Sequence, residues 1–169
     1  MLGDTPEQIF GDTPKWVEQF AQENASIGSA DELSERRLDE QKDNVPWTIY
    51  LESIALGRGF NMEKVVAFIS RFHSYQIIPI NVSLIEPKDY SEYFPNEIRL
   101  LYHALPVCMS ETFLNIALLE PEVARDISEA YYAWIGDRRL KALQFFVTTP
   151  SAFNQYSSLL NRIQARKEG

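Results

Sequence analysis

The chain has one cysteine, two histidines and no long apolar run, and these scarcities remove several function classes at once. A lone Cys108 excludes an intrachain disulfide and cannot supply a cysteine-rich zinc site. Flanked by Val107 and Met109, it reads as a buried structural thiol rather than a nucleophile. No His-x-x-x-His or Cys-x-x-Cys spacing occurs, so no metal is expected. The longest apolar run, Leu114 to Leu119, is interrupted by Asn115 and falls far short of the roughly 20 residues that span a bilayer. Asp4, Glu7 and Asp12 stand where a secretory signal would carry basic residues and then an apolar stretch, so the expected location is cytoplasmic.

Glycine is also sparse, and it is missing from the arrangements that cradle phosphate. There is no Gly-x-x-x-x-Gly-Lys-Ser/Thr loop and no Gly-x-Gly-x-x-Gly. Gly57-Arg58-Gly59 follows a helical pattern rather than a strand, so it reads as a helix stop. Basic residues are outnumbered by 24 to 16, and the imbalance is local: residues 1–45 hold 11 acidic and 4 basic side chains, the remainder 13 and 12. The acidity therefore belongs to the N-terminal segment. Without a stripe of Lys and Arg, nucleic acid is not an expected partner.

What is present is hydrophobic periodicity. Gly-Asp-Thr-Pro occurs at Gly3–Pro6 and again at Gly11–Pro14, and each copy suits a helix start, with Asp or Thr as cap and Pro at the first position. The second copy leads an amphipathic helix with Trp16, Val17 and Phe20 on one face. Asn24 to Ser29 reads as a turn. Ala30 to Lys42 reads as a strongly charged helix whose only apolar contacts are Leu33 and Leu38. After the break at Asp43-Asn44-Val45-Pro46, Trp47, Leu51, Ile54 and Ala55 have helical spacing. Asn61 then caps a helix with Val65, Ile69 and Phe72 inward. This second helix-turn-helix repeats the layout of the stretch from Trp16 to Gln41.

From Ile78 to Ile85 the period changes to two, which predicts a strand, and Pro79 suits either an edge position or the strand's start. Pro95 opens a short helix through Tyr102, ended at Ala104-Leu105-Pro106. Strands are predicted over Phe113 to Leu119 and Ala142 to Thr148. Helices begin at Pro121, with Val123, Ile127, Tyr131 and Trp134 on one face, and at Pro150, with Phe153, Tyr156, Leu160 and Ile163 in register. The fold class is α+β: an N-terminal helical subdomain, then a small three- or four-stranded sheet flanked by helices. The boundaries are an acidic helical arm at 1–45 and a domain at 46–165, divided into a helical unit (46–75) and an α/β part (76–165).

No constellation of side chains in this sequence points to catalysis. His73 and His103 end helices, where an imidazolium can face the negative end of the helix dipole. The pairs Asp31, Glu32 and Asp39, Glu40 lie on a helix too poor in apolar residues to bury them, so they form a solvated face. Tyr131 and Trp134 fall on an apolar stripe and read as core rather than as a stacking platform for a base. Trp16, Val17 and Phe20 are different, because they sit on an isolated helix in an acidic arm. They pack either on the main body or on a partner, and they are the candidate partner-binding residues.

Two proline-marked stretches carry a resemblance. The run from Phe94-Pro95 through a short helix to Leu105-Pro106-Val107, and the strand Leu114 to Leu119 ending in Glu120-Pro121, resemble the N-terminal domain of type II secretion and type IV pilus assembly ATPases. Order and spacing fit from near Pro46 to Ile163. The resemblance implies a non-enzymatic domain, without cofactor, that docks on an inner-membrane platform protein and serves an ATPase motor, peripheral to the inner membrane. Some members of that family bind cyclic di-GMP through paired motifs that open with Arg-Leu-Gly, carry a mid-motif Gly and end in Gln. The aligned positions here are Ile49-Tyr50-Leu51, Arg58 and Phe72, and the degenerate first copy keeps only Gln41. Cyclic di-GMP is therefore not expected to bind in that mode, and a divergent sensor of it is the alternative function.

Overall fold

The computed structural model describes residues 9–42, 44–78, 88–136 and 141–168. It divides into two compact units, Met1–Ser74 and Tyr75–Gly169, so the acidic arm and the second helical pair belong to one unit. The first Gly-Asp-Thr-Pro copy lies outside the described residues.

Unit one is helical: α1 (Lys15–Glu23), a 3-10 turn (Ala25–Ile27), α2 (Ala30–Asp39), α3 (Trp47–Arg58) and α4 (Met62–His73). Pro14 is the N-cap of α1 rather than its first residue, and its carbonyl accepts from the Val17 and Glu18 amides. Ser29 caps α2 by accepting from the Glu32 amide, and Asn61 caps α4 by accepting from the Lys64 amide at 2.9 Å. Gly59, at φ 74°, closes α3, where a side chain would be strained. The helix predicted to run to Lys42 stops at Asp39, because Gln41 turns left-handed (φ 59°) and the Lys42 amide reaches back to the Arg37 carbonyl.

Two expectations about this unit's core are corrected. Leu38 is 59% exposed, and the residue α2 buries besides Leu33 is Arg37. Its guanidinium donates to the carbonyls of Phe10, Gly11 and Val45 and lies 4.6 Å from the Trp47 ring centroid. A planar cation with several donors can satisfy three backbone acceptors and still stack on an aromatic face, which leucine cannot. Phe72 is likewise 41% exposed; the buried face of α4 is Val65, Val66, Phe68 and Ile69. Position 72 shares the stripe of Val65 and Ile69 by helical spacing, but it lies in the last turn of α4, which ends at His73, where the ring stays partly in water.

Unit two contains a four-stranded mixed sheet in the order β1-β4-β3-β2, from β1 (Gln76–Ile77), β2 (Ala104–Met109), β3 (Phe113–Leu118) and β4 (Ala142–Val147). Around it run α5 (Asn96–Tyr102), a 3-10 turn (Pro121–Val123), α6 (Ala124–Ile135) and α7 (Pro150–Glu168). β1, β4 and β3 are parallel neighbours, and β2 pairs antiparallel with β3. Strand pairing begins before Ile78, whose amide donates to the Val147 carbonyl at 2.9 Å. The rest of the strand predicted to Ile85 lies outside the described residues.

Ala104-Leu105-Pro106, read as a helix end, is the start of β2; the missing N–H of Pro106 is tolerated because β2 is an edge strand. The register slips between Pro106 and Cys108, and the Val107 carbonyl at the bulge accepts from the hydroxyls of Tyr90 (3.4 Å) and Tyr156 (3.5 Å). Burial drives the Tyr156 hydroxyl far up in pKa, so it remains a neutral donor. Arg99 donates to the amide oxygens of Asn161 (3.1 Å) and Gln164 (3.3 Å), tying α5 to α7.

His103 caps α5 with φ 51°. Burial pushes its pKa below the ordinary value, which favours the neutral ring over the imidazolium expected at a helix end.

Two outcomes follow. Arg37→Ala leaves the Phe10, Gly11 and Val45 carbonyls to find other donors, and should lower unfolding free energy by about 2–5 kcal/mol in urea titrations; Arg37→Lys should recover little of it. For His103 the folded pKa lies below the unfolded value of about 6.5, so the stability contribution is full above that pH and declines as pH falls beneath it. Melting temperature should drop between about pH 7 and 5, and His103→Asn, which tolerates the left-handed backbone, should flatten that drop.

Candidate docking surface

The side chains singled out from the sequence are inside unit one. Trp16, Val17 and Phe20 are at most 1% exposed. Phe20 meets Phe68 and Phe60 edge to face at centroid distances of 5.3 and 6.1 Å, so α1 spends its apolar face on its own unit. What α1 offers outward is Glu18, Gln19, Gln22 and Glu23.

Two grooves flank this helix. Between α1 and the start of α2 is an open groove of about 500 Å³ lined by Glu18, Ala21, Gln22, Ala25, Gly28, Ser29, Ala30 and Asp31. Its wall is shaped by Gly28, whose φ of 105° favours glycine and where an added Cβ would sit 3.0 Å from Arg58 Nη1. Arg58 is committed here: it donates to the Ile27 carbonyl and lies 3.7 Å from the Glu32 carboxylate. Between α1 and α4 is a smaller groove of about 220 Å³, lined by Phe20, Glu23, Asn24, Lys64, Phe68 and Arg71. The acid-lined groove was foreshadowed by the charge count. The second was not, because Lys64 and Arg71 meet only once α4 is wound.

The positions that align with the cyclic di-GMP motif are otherwise occupied. Tyr50 and Leu51 are fully buried, Tyr50 packing edge to face on Trp47 at 5.8 Å. Desolvation raises the Tyr50 pKa, with Glu40 adding to the rise, and its hydroxyl has no hydrogen-bond partner among the described residues. Gln41 ends α2 in a left-handed turn and is exposed.

In unit two, Tyr131 is buried and stacks on Phe94 at 6.1 Å, Trp134 is half-buried, and Tyr132 is 48% exposed. Cys108 is half-buried and accepts from Asn115 Nδ2 at 2.9 Å. Among the described residues, no group of three His, Cys, Asp or Glu side chains could hold a metal, and no helix is long and apolar enough to cross a membrane. Glu120 and Thr148, at the ends of β3 and β4, are buried polar residues that periodicity did not mark.

No protein-family model matches the sequence, and no curated protein matches it either. Solved structures do. A structure of MshE with cdg superposes with a TM-score of 0.53 at 18% identity, over 89% of this chain and 99% of that one. The N-terminal domain of XpsE gives a TM-score of 0.47 at 13% identity, over 83% and 90%. The chain has the fold of MshE.

Because Trp16 is wholly buried, Trp16→Ala should cost about 3–5 kcal/mol in unfolding free energy. Loss of partner capture by that variant should therefore coincide with a fall in melting temperature measured by circular dichroism. Capture lost at unchanged melting temperature would instead mark a direct contact.

Proposed function

We propose that this chain is a non-catalytic docking or regulatory domain of a type II secretion or type IV pilus-like machine, working at the cytoplasmic side and linking a motor or related protein to an inner-membrane platform component. The observation that carries the reading is the fold shared with MshE over nearly all of that chain. The absence of any phosphate loop from the sequence agrees with a role beside a motor rather than as one. The partner contact falls on the exposed acidic side of α1 and α2, where Glu18 and Asp31 rim the larger groove and would favour a basic segment.

The MshE structure was solved with cdg, and the rival reading is a divergent cyclic di-GMP sensor. The arrangement here disfavours it: Arg58, itself one of the aligned motif positions, is held by the Ile27 carbonyl and Glu32, and Tyr50 is enclosed.

Affinity purification with the platform protein of the same machine should recover the complex. Combined Glu18→Lys and Asp31→Lys should weaken recovery about tenfold without shifting the melting temperature, since both residues are exposed. The pure chain should hydrolyse neither ATP nor GTP above blank. Steady hydrolysis, or micromolar heat with cyclic di-GMP that vanishes in Arg58→Ala, would overturn the proposal.

A further inference from the structure

The groove between α1 and α4 differs in kind from the rest of unit one. Its floor is Phe20 and Phe68, and Phe72 stacks on Phe68 at 6.1 Å while leaving 41% of its surface in water. Lys64 and Arg71 stand along it on one face of α4, seven residues and so about 10.5 Å apart. Among the described residues neither side-chain cation has a carboxylate within 4 Å. Glu23, on the α1 wall, is engaged by Gln19 Nε2 at 3.1 Å, and the Asn24 amide is turned to the Phe20 carbonyl. An aromatic floor flanked by two unpaired cations thus sits in a unit where acidic residues outnumber basic ones by 13 to 7.

We infer that this groove is a second docking site, for an acidic segment of a partner protein that places an apolar side chain between two carboxylates. The inference rests on the docking reading above and adds the chemistry of a second partner surface. The cation spacing equals that of residues one heptad apart on a helix, or three apart on a strand at about 3.3 Å each. The groove's 220 Å³ has room for one apolar side chain over Phe68, on which the exposed Phe72 ring stacks at 6.1 Å. An aromatic contact beside an arginine is the composition that concentrates binding energy at interfaces. Charge decides the sign of the partner: Lys64 and Arg71 attract carboxylates, and Glu23 alone opposes them.

The probe is a labelled helical peptide of about a dozen residues with two Glu one heptad apart and Leu between them, titrated with the full chain by fluorescence anisotropy. Its Lys-for-Glu counterpart, cyclic di-GMP, and phosphatidylglycerol vesicles serve as competing arms. The Glu peptide should bind, about tenfold more weakly in combined Lys64→Ala and Arg71→Ala, and more tightly in Glu23→Gln. Raising salt from about 0.05 to 0.5 M should weaken it. Both cations are exposed, so the double variant should keep its melting temperature.

Three outcomes overturn the inference: no binding of the Glu peptide, equal binding of the Lys peptide, or Lys64- and Arg71-dependent binding of cyclic di-GMP or vesicles in place of the peptide. A chain that captures a platform protein yet ignores the peptide loses this inference and keeps the docking reading. A chain that binds the peptide through both cations yet captures no platform protein keeps the groove and loses the machine assignment.

Discussion

A guanidinium withdrawn from water must recover its lost hydration from fixed oxygens, and each unit of this protein contains one that does so. Arg37 is 2% exposed and gathers the carbonyls of residues 10, 11 and 45, which come from the segments before α1 and after α2. This side chain thereby holds the entry to α1 and the entry to α3 in one place, with Trp47 stacked over it. The Trp47 indole then donates to the Asp12 carbonyl at 3.2 Å, fixing the same strip of chain. Arg99 does the equivalent for α5 and α7 with amide oxygens. Neutral acceptors leave the charge intact while spreading it over several bonds.

That arrangement determines where function can reside. With α1 anchored by Arg37 and Trp47 at one end and by Phe20 against α4 at the other, its apolar face is consumed and its polar face is displayed. The two grooves beside it then inherit opposite character from their far walls: Asp31 and the capped start of α2 on one side, Lys64 and Arg71 on the other. A helix so flanked presents two surfaces of opposite charge character from one rigid element.

Much of the element order could be read from the residues. Pro121 and Pro150, Asn61 and Gly59 mark ends where the local rule and the structure agree, since capping and φ restriction act within a few residues. Strand β3 was legible as a short apolar run broken only by Asn115, and strand β4 as a run rich in Phe145, Phe146 and Val147. The failures share a cause. Leu38 was assigned to the core and Arg37 to water because single-residue polarity was weighed without knowing that three carbonyls converge there. Phe72 was assigned inward by its helical spacing, which does place it on the stripe of Val65 and Ile69, but it falls in the last turn of α4 and keeps 41% of its surface exposed. His103 was read as a charge at a helix end, but burial lowers its pKa and favours the neutral ring.

The candidate site divides in the same way. Sequence alone determined the two-part α+β order, the acidic N-terminal segment, the lack of phosphate-binding and metal-binding motifs, and the family resemblance, because periodicity, composition and short motifs are properties of neighbouring residues. Only tertiary structure decided that Trp16, Val17 and Phe20 face inward and that the exposed surface lies in the flanking grooves. An amphipathic helix states that one face must leave water; whether it does so against its own chain or another depends on which residues far along the chain return to meet it.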